Sequence, residues 1–192
     1  MKRHAALLAF FVSGVVLLTG CFTSSQMAKL QMPANYAKSP TLEAKSSWRT
    51  AVLPPTGGRV SDPSAPGGLY DYAGMALMKK GRFTVVDRSA VDQLLEEQEF
   101  SYSGVVDAGT AARLGKMLGA EAVMIVNVTE IKHDDFWDEH PAQRDAELHL
   151  KIISVETSEV LYSAVGQGSD FDGASGALKQ ALEVALMPLG TN

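Results

Sequence analysis

The 192-residue chain holds one cysteine, Cys21, so it can form no intramolecular disulfide. Aromatic residues make up 7% of it, and its 17 basic residues are outnumbered by 22 acidic ones. The formal net charge is −5. An acidic surface is repelled by phosphate backbones and anionic headgroups, which argues against nucleic acid as a partner. No apolar run after residue 20 approaches the ~20 residues that a spanning helix needs. The patterns GxSxG, HExxH and SxxK are all missing, so the common hydrolase signatures are absent. No enzyme activity and no cofactor are expected.

What is present begins with the leader. Lys2 and Arg3 precede Ala5–Leu18, a stretch broken only by Ser13 and Gly14. That length suits the apolar region of a secretory signal and is short for a membrane span. The run ends in Leu18-Thr19-Gly20-Cys21, which resembles a bacterial lipobox. The resemblance implies that the sulfur of Cys21 takes a diacylglycerol, that residues 1–20 are removed, and that the new amine is acylated, with palmitate among the chains. Several acyl chains on one residue anchor durably, as a single chain does not. Phe22 follows, where an Asp would favour inner-membrane retention. The expected location is therefore the outer membrane, on its periplasmic face. Losing Lys2 and Arg3 leaves 15 basic residues against 22 acidic ones, a net charge of −7.

Residues 21–47 are polar and small, with Pro33 and Pro40 and no sustained period, and read as a lipidated tether. The alternative is an arm packed on the domain or on a neighbouring copy, for which Leu30, Met32 and Tyr36 supply apolar contacts. A single domain then occupies 48–192. Ala51-Val52-Leu53 before Pro54-Pro55 predicts a short buried strand. After the Gly- and Pro-rich TGGRVSDPSAPGG, a helix is expected over 69–80, with Leu69, Tyr72, Ala73, Ala76 and Leu77 on one face and Gly81 closing it. RFTVVDR (82–88) reads as a strand, and Ser89 as the cap of a helix striped by Val91, Leu94 and Leu95, with Asp92 completing a weak capping box. Asp107 opens a third helix with Ala111, Leu114 and Leu118 in register, which Gly119 ends. AEAVMIVNVTEI (120–131) is expected as the central strand.

KHDDFWDEHPAQRD (132–145) reads as a charged loop. Beyond it, Ala146, Leu148, Leu150 and Ile152 alternate with Glu147, His149 and Lys151, the pattern of a strand with one wet face. LYSAVG returns, and GQGSDFDG leads to a last helix striped by Leu178, Ala181, Leu182, Ala185, Leu186 and Leu189. The fold class is α/β: a single domain with a mixed sheet of about five strands, in the order β-α-β-α-α-β-β-β-α, covered by helices. The first crossover should be parallel and right-handed, and the last three strands an antiparallel meander.

RFTVVDRSAVDQLLEEQ, SGVVDAGTAARLGKMLGAEAVMIVNVTEI and ISVETSEVLYS resemble the CsgG-like outer-membrane lipoproteins, with Ser158 where that pattern usually has Gly. The resemblance spans roughly 48–189, and LQMPANYAKSP is similar to the family's N-terminal arm. The architecture is shared more distantly by LpoB-type lipoproteins. It implies a non-catalytic binding or assembly module in envelope or surface-structure biogenesis, anchored through Cys21 and docking on a periplasmic or outer-membrane protein. Two other roles fit the same resemblance: an oligomeric secretion-channel component, or an activator of a peptidoglycan synthase. The channel's two long insertions have no counterpart here, so this is read as a compact member without transmembrane hairpins. Homo-oligomers stay open.

Few residues offer chemistry. His133, Asp135 and His140 lie among the carboxylates of 132–145 and are weak candidates for a divalent ion. No helix or strand fixes their geometry, and a solvated acidic loop explains them as well, so no metal site is assigned. Phe136 and Trp137 in the same loop are candidate partner-binding residues, because exposed aromatics are useful at interfaces. The alternative is that they fold back on the sheet edge. Gly166-Gln167-Gly168 lacks the remainder of a phosphate-loop motif and reads as a strand exit, before a helix capped by Asp172 or Ser175.

Overall fold

The structure, a computed structural model, describes residues 33, 35–57, 65–98, 106–133, 143–171 and 173–190. Seven strands and five helices follow one another in this order: β1 (Tyr36–Lys38), α1 (Pro40–Glu43), β2 (Trp48–Val52), β3 (Thr56–Gly57), α2 (Ala65–Met78), β4 (Phe83–Val85), α3 (Arg88–Glu97), α4 (Ala108–Met117), β5 (Ala122–His133), β6 (Arg144–Ser154), β7 (Val160–Asp170) and α5 (Ala174–Leu186), closed by a 3-10 turn at Met187–Leu189. They form one mixed sheet in the order β1-β7-β6-β5-β2-β4, with β3 paired beside β2 on β5. β2 runs parallel to β4 and β5, and β5, β6 and β7 form the antiparallel meander.

The helices sit where the apolar stripes require. α2 and α5 cover one face. There Leu69, Ala73, Ala76 and Leu77 of α2, and Leu178, Ala181, Leu182, Ala185 and Leu186 of α5, meet Met124, Val126, Leu148, Leu150 and Ile152 of the sheet. α3 and α4 cover part of the other face, where Val91, Leu95, Ala111 and Leu114 pack on Ala51, Val123, Ile125 and Ile153. Asp107 caps α4 as expected, its carboxylate accepting the Thr110 amide at 3.0 Å. Gly81 and Gly119 take φ of 74° and 63°, which L side chains resist, so each ends its helix.

Several expectations are corrected. Among the described residues there are seven strands rather than about five, because two short elements, β1 and β3, join the sheet. Residues 35–47, read as part of the tether, are packed on the domain: β1 pairs with β7, and Leu42 of α1 is fully buried. This is the packed-arm alternative. The loop read over 132–145 is shorter than expected, since β5 runs to His133 and β6 starts at Arg144, with those two residues paired. A bulge after Val128 lets the ladder continue past Glu130.

Gly166, Gln167 and Gly168 lie inside β7 and pair with β6. A Cβ at Gly166 or Gly168 would collide with the Ala181 or Ala177 carbonyl of α5, so these glycines serve close packing rather than a loop. The N-cap of α3 is Asp87, not Ser89, and Asp92 pairs with Arg88 one turn back at 3.2 Å. The N-cap of α5 is Gly173; Ser175 is inside the helix, and Asp172 lies outside the described residues.

Candidate interaction surface

The helix layer on the second sheet face is incomplete. α3 and α4 reach β2, the first half of β5 and the last residues of β6, at Ile153. Among the described residues no helix covers the rest of that face, formed by the second half of β5 with β6 and β7. The strand alternation places Asp145, Glu147, His149 and Lys151 of β6 in one row there. Register adds Asn127 and Glu130 from β5, and Val165, Gln167 and Ser169 from β7. His149, Lys151, Gln167 and Ser169 are exposed, and Glu147 is half-buried.

Glu147 is held from both neighbouring strands. Its carboxylate accepts the Thr129 hydroxyl at 3.1 Å and the Gln167 amide at 2.8 Å, and His149 Nε2 lies 4.0 Å away. Gln143 donates to Asp145 at 3.0 Å. Beside them lies an open groove of about 220 Å³, lined by Glu130, Asp145, Glu147, Gln167 and Ser169, with Ala146 and Gly168 behind. Its chemistry is that of hydrogen-bond acceptors and amides on a rigid sheet. It suits cationic or amide side chains.

The candidates read from sequence are not brought together on this face. Cys21, Asp135, Phe136, Trp137 and His140 lie outside the described residues. His133 ends β5, with its backbone opposite Arg144. Among the described residues no three His, Cys, Asp or Glu side chains converge as metal ligands. Sequence reasoning missed Gln167 and Ser169 because it took them for a loop. The signal for the β6 half, the polar positions 147, 149 and 151, was legible.

A family model described as "Curli production assembly/transport component CsgG" matches residues 41–134, from α1 past the end of β5. The chain is CsgG-like. Similar folds occur in a PelC dodecamer from Paraburkholderia phytofirmans (15% identity, TM-score 0.54, 82% of this chain and 96% of that one) and in lipoprotein GNA1162 from Neisseria meningitidis (14%, 0.53, 73% and 95%). E. coli LpoB aligns over 64% of this chain and 58% of its own, at 16% identity and a TM-score of 0.48. No match is found among curated protein sequences. At these identities the structural likeness is one of fold. Among the described residues of this CsgG-like chain, no helix is long and apolar enough to cross a membrane.

Proposed function

We propose that this CsgG-like protein is a lipid-anchored lipoprotein of the outer membrane's periplasmic face that acts as a non-catalytic binding and assembly module in envelope or surface-structure biogenesis. The observation that carries the reading is the uncovered half of the sheet face, a rigid polar surface with a side-chain-sized groove. The anchor is Cys21, supported by the lipobox-like Leu18-Thr19-Gly20-Cys21. Phe136 and Trp137, in the connection between β5 and β6, supply apolar contacts to the same partner. A photo-crosslinking residue at Gln167, in cells, tests the surface. A discrete protein adduct that disappears with Lys151→Glu or Trp137→Ala supports the reading, and no adduct at Gln167 counts against it. Labelling with a clickable palmitate analogue tests the anchor: equal label on wild type and Cys21→Ala removes it.

A second reading, a ring of copies, is favoured by the likeness to the PelC dodecamer. It is compatible with the first, because a ring presents its surfaces many times over. Mass of the full-length protein in detergent decides it: a monomer would exclude the ring.

A further inference from the structure

The packed arm is held in an unusual way. All three residues of β1 are exposed, and the strand covers only part of the outer edge of the eleven-residue β7. α1 is a single turn with one buried residue, Leu42. Most of the remaining attachment is made by charged side chains. Arg82, on the turn before β4, donates through Nη2 to the Leu42 and Lys45 carbonyls, both at 2.7 Å, and through Nη1 to Glu43 at 3.0 Å. Glu43 also takes Lys38 at 2.7 Å, and Lys38 reaches the Pro188 carbonyl at 3.4 Å. Lys45 pairs with Glu121. Trp48 Nε1 donates to Leu42 O at 3.2 Å from the domain side.

We infer that residues 35–47 form a strap that opens ahead of the rest of the fold, with Arg82 as its latch. The reason is a contrast in attachment. The meander and α5 share a continuous apolar core, whereas the strap contributes one leucine to it and is otherwise closed by hydrogen bonds and partly exposed ion pairs. One guanidinium makes three of those contacts, in the fork geometry that lysine cannot reproduce.

Opening has two consequences. It bares the edge of β7 from Leu161 to Val165, whose pairing β1 supplies. It also changes the tether. With the strap shut, Asn35 lies 14 residues after Cys21, a stretch that can span at most roughly 50 Å. With the strap open to Ser47, 26 residues can span at most roughly 90 Å. This second consequence rests on the anchoring of Cys21 proposed above.

Hydrogen exchange by mass spectrometry on the full-length protein in detergent tests the strap without depending on acylation. Amides of 36–44 should exchange at least about tenfold faster than those of β5 and β6. Arg82→Ala should speed them by about another tenfold and leave β5 and β6 unchanged, and Glu43→Gln should give a smaller increase in the same residues. Strap amides exchanging in step with β5 and β6, or Arg82→Ala speeding all segments equally, would overturn the inference. If Arg82→Ala fails to fold, Glu43→Gln alone decides by the same criterion. Loss of acylation on its own would leave the strap standing and remove only the change in reach.

Discussion

Single positions show where backbone geometry and close packing rule. Ser158 has φ of 59°, the one non-glycine residue with positive φ in the described chain. Its amide reaches the Ser154 carbonyl at 3.0 Å, a turn that any residue able to adopt αL can close. An L side chain in that region costs about 1–2 kcal/mol, and glycine returns part of the gain through greater freedom when unfolded. Ser158→Gly should therefore raise stability by about 0.5–1 kcal/mol in urea melts; a loss of stability would show that the hydroxyl matters more than the backbone. Gly166 is the opposite case. A Cβ there meets the Ala181 carbonyl and lies 2.9 Å from the Ala185 Cβ. Gly166→Ala must lift α5 from β7 and should cost about 1–3 kcal/mol. Melts matching wild type would mean that the helix yields easily.

At the scale of elements, α5 is the organising piece. Its stripe fills the main core, and Leu182 is fully buried at mid-helix. Leu182→Ala should lose about 2–5 kcal/mol through lost contacts and a residual cavity, read from the urea midpoint. Glu183, on the other flank, is half-buried and accepts the Tyr72 hydroxyl at 2.7 Å, joining α2 to α5. Desolvation, followed by that carboxylate, pushes the Tyr72 phenol up to about 12 from its ordinary 10. The folded state thus holds this proton more tightly than the unfolded chain. The stabilisation is complete below pH 10 and is lost as pH rises through about 12. Burial also raises Tyr162, whose hydroxyl donates to the Ala185 carbonyl at 2.5 Å, and it adds in the same direction. Stability measured across that window should fall, and Tyr72→Phe should make the fall shallower. An unchanged slope in Tyr72→Phe would assign the effect elsewhere.

The whole molecule bears on whether such a chain makes a pore. β5, β6 and β7 have 12, 11 and 11 residues, enough for barrel strands, which need ~9–11. Their faces are wrong for lipid. One is buried beneath α5, and the other carries Glu147, His149 and Lys151, which hydrocarbon would penalise. The connection from β5 to β6 is ten residues, and three separate β7 from α5, so neither adds a spanning hairpin. Purified full-length protein should give no discrete conductance steps in planar bilayers. Repeatable steps would move a channel role to first place.

The order of the main elements from β2 to α5, β3 apart, the parallel first crossover and the antiparallel meander were readable along the chain, because apolar periodicity and helix-ending glycines are local signals that tertiary packing did not override. The stripes of α2, α4 and α5, the cap at Asp107 and the wet face of β6 all follow from them. Tertiary structure alone decided what depends on partners distant in sequence. β1 is a strand only because β7 offers an edge some 125 residues later, and its own residues bury nothing. GQG is strand rather than loop because α5 lies close enough to demand glycine. The open face exists because α3 and α4 are too short to cover seven strands, and no single segment encodes that mismatch. Burial and close approach are properties of pairs of segments, so a pattern read along one of them cannot contain them.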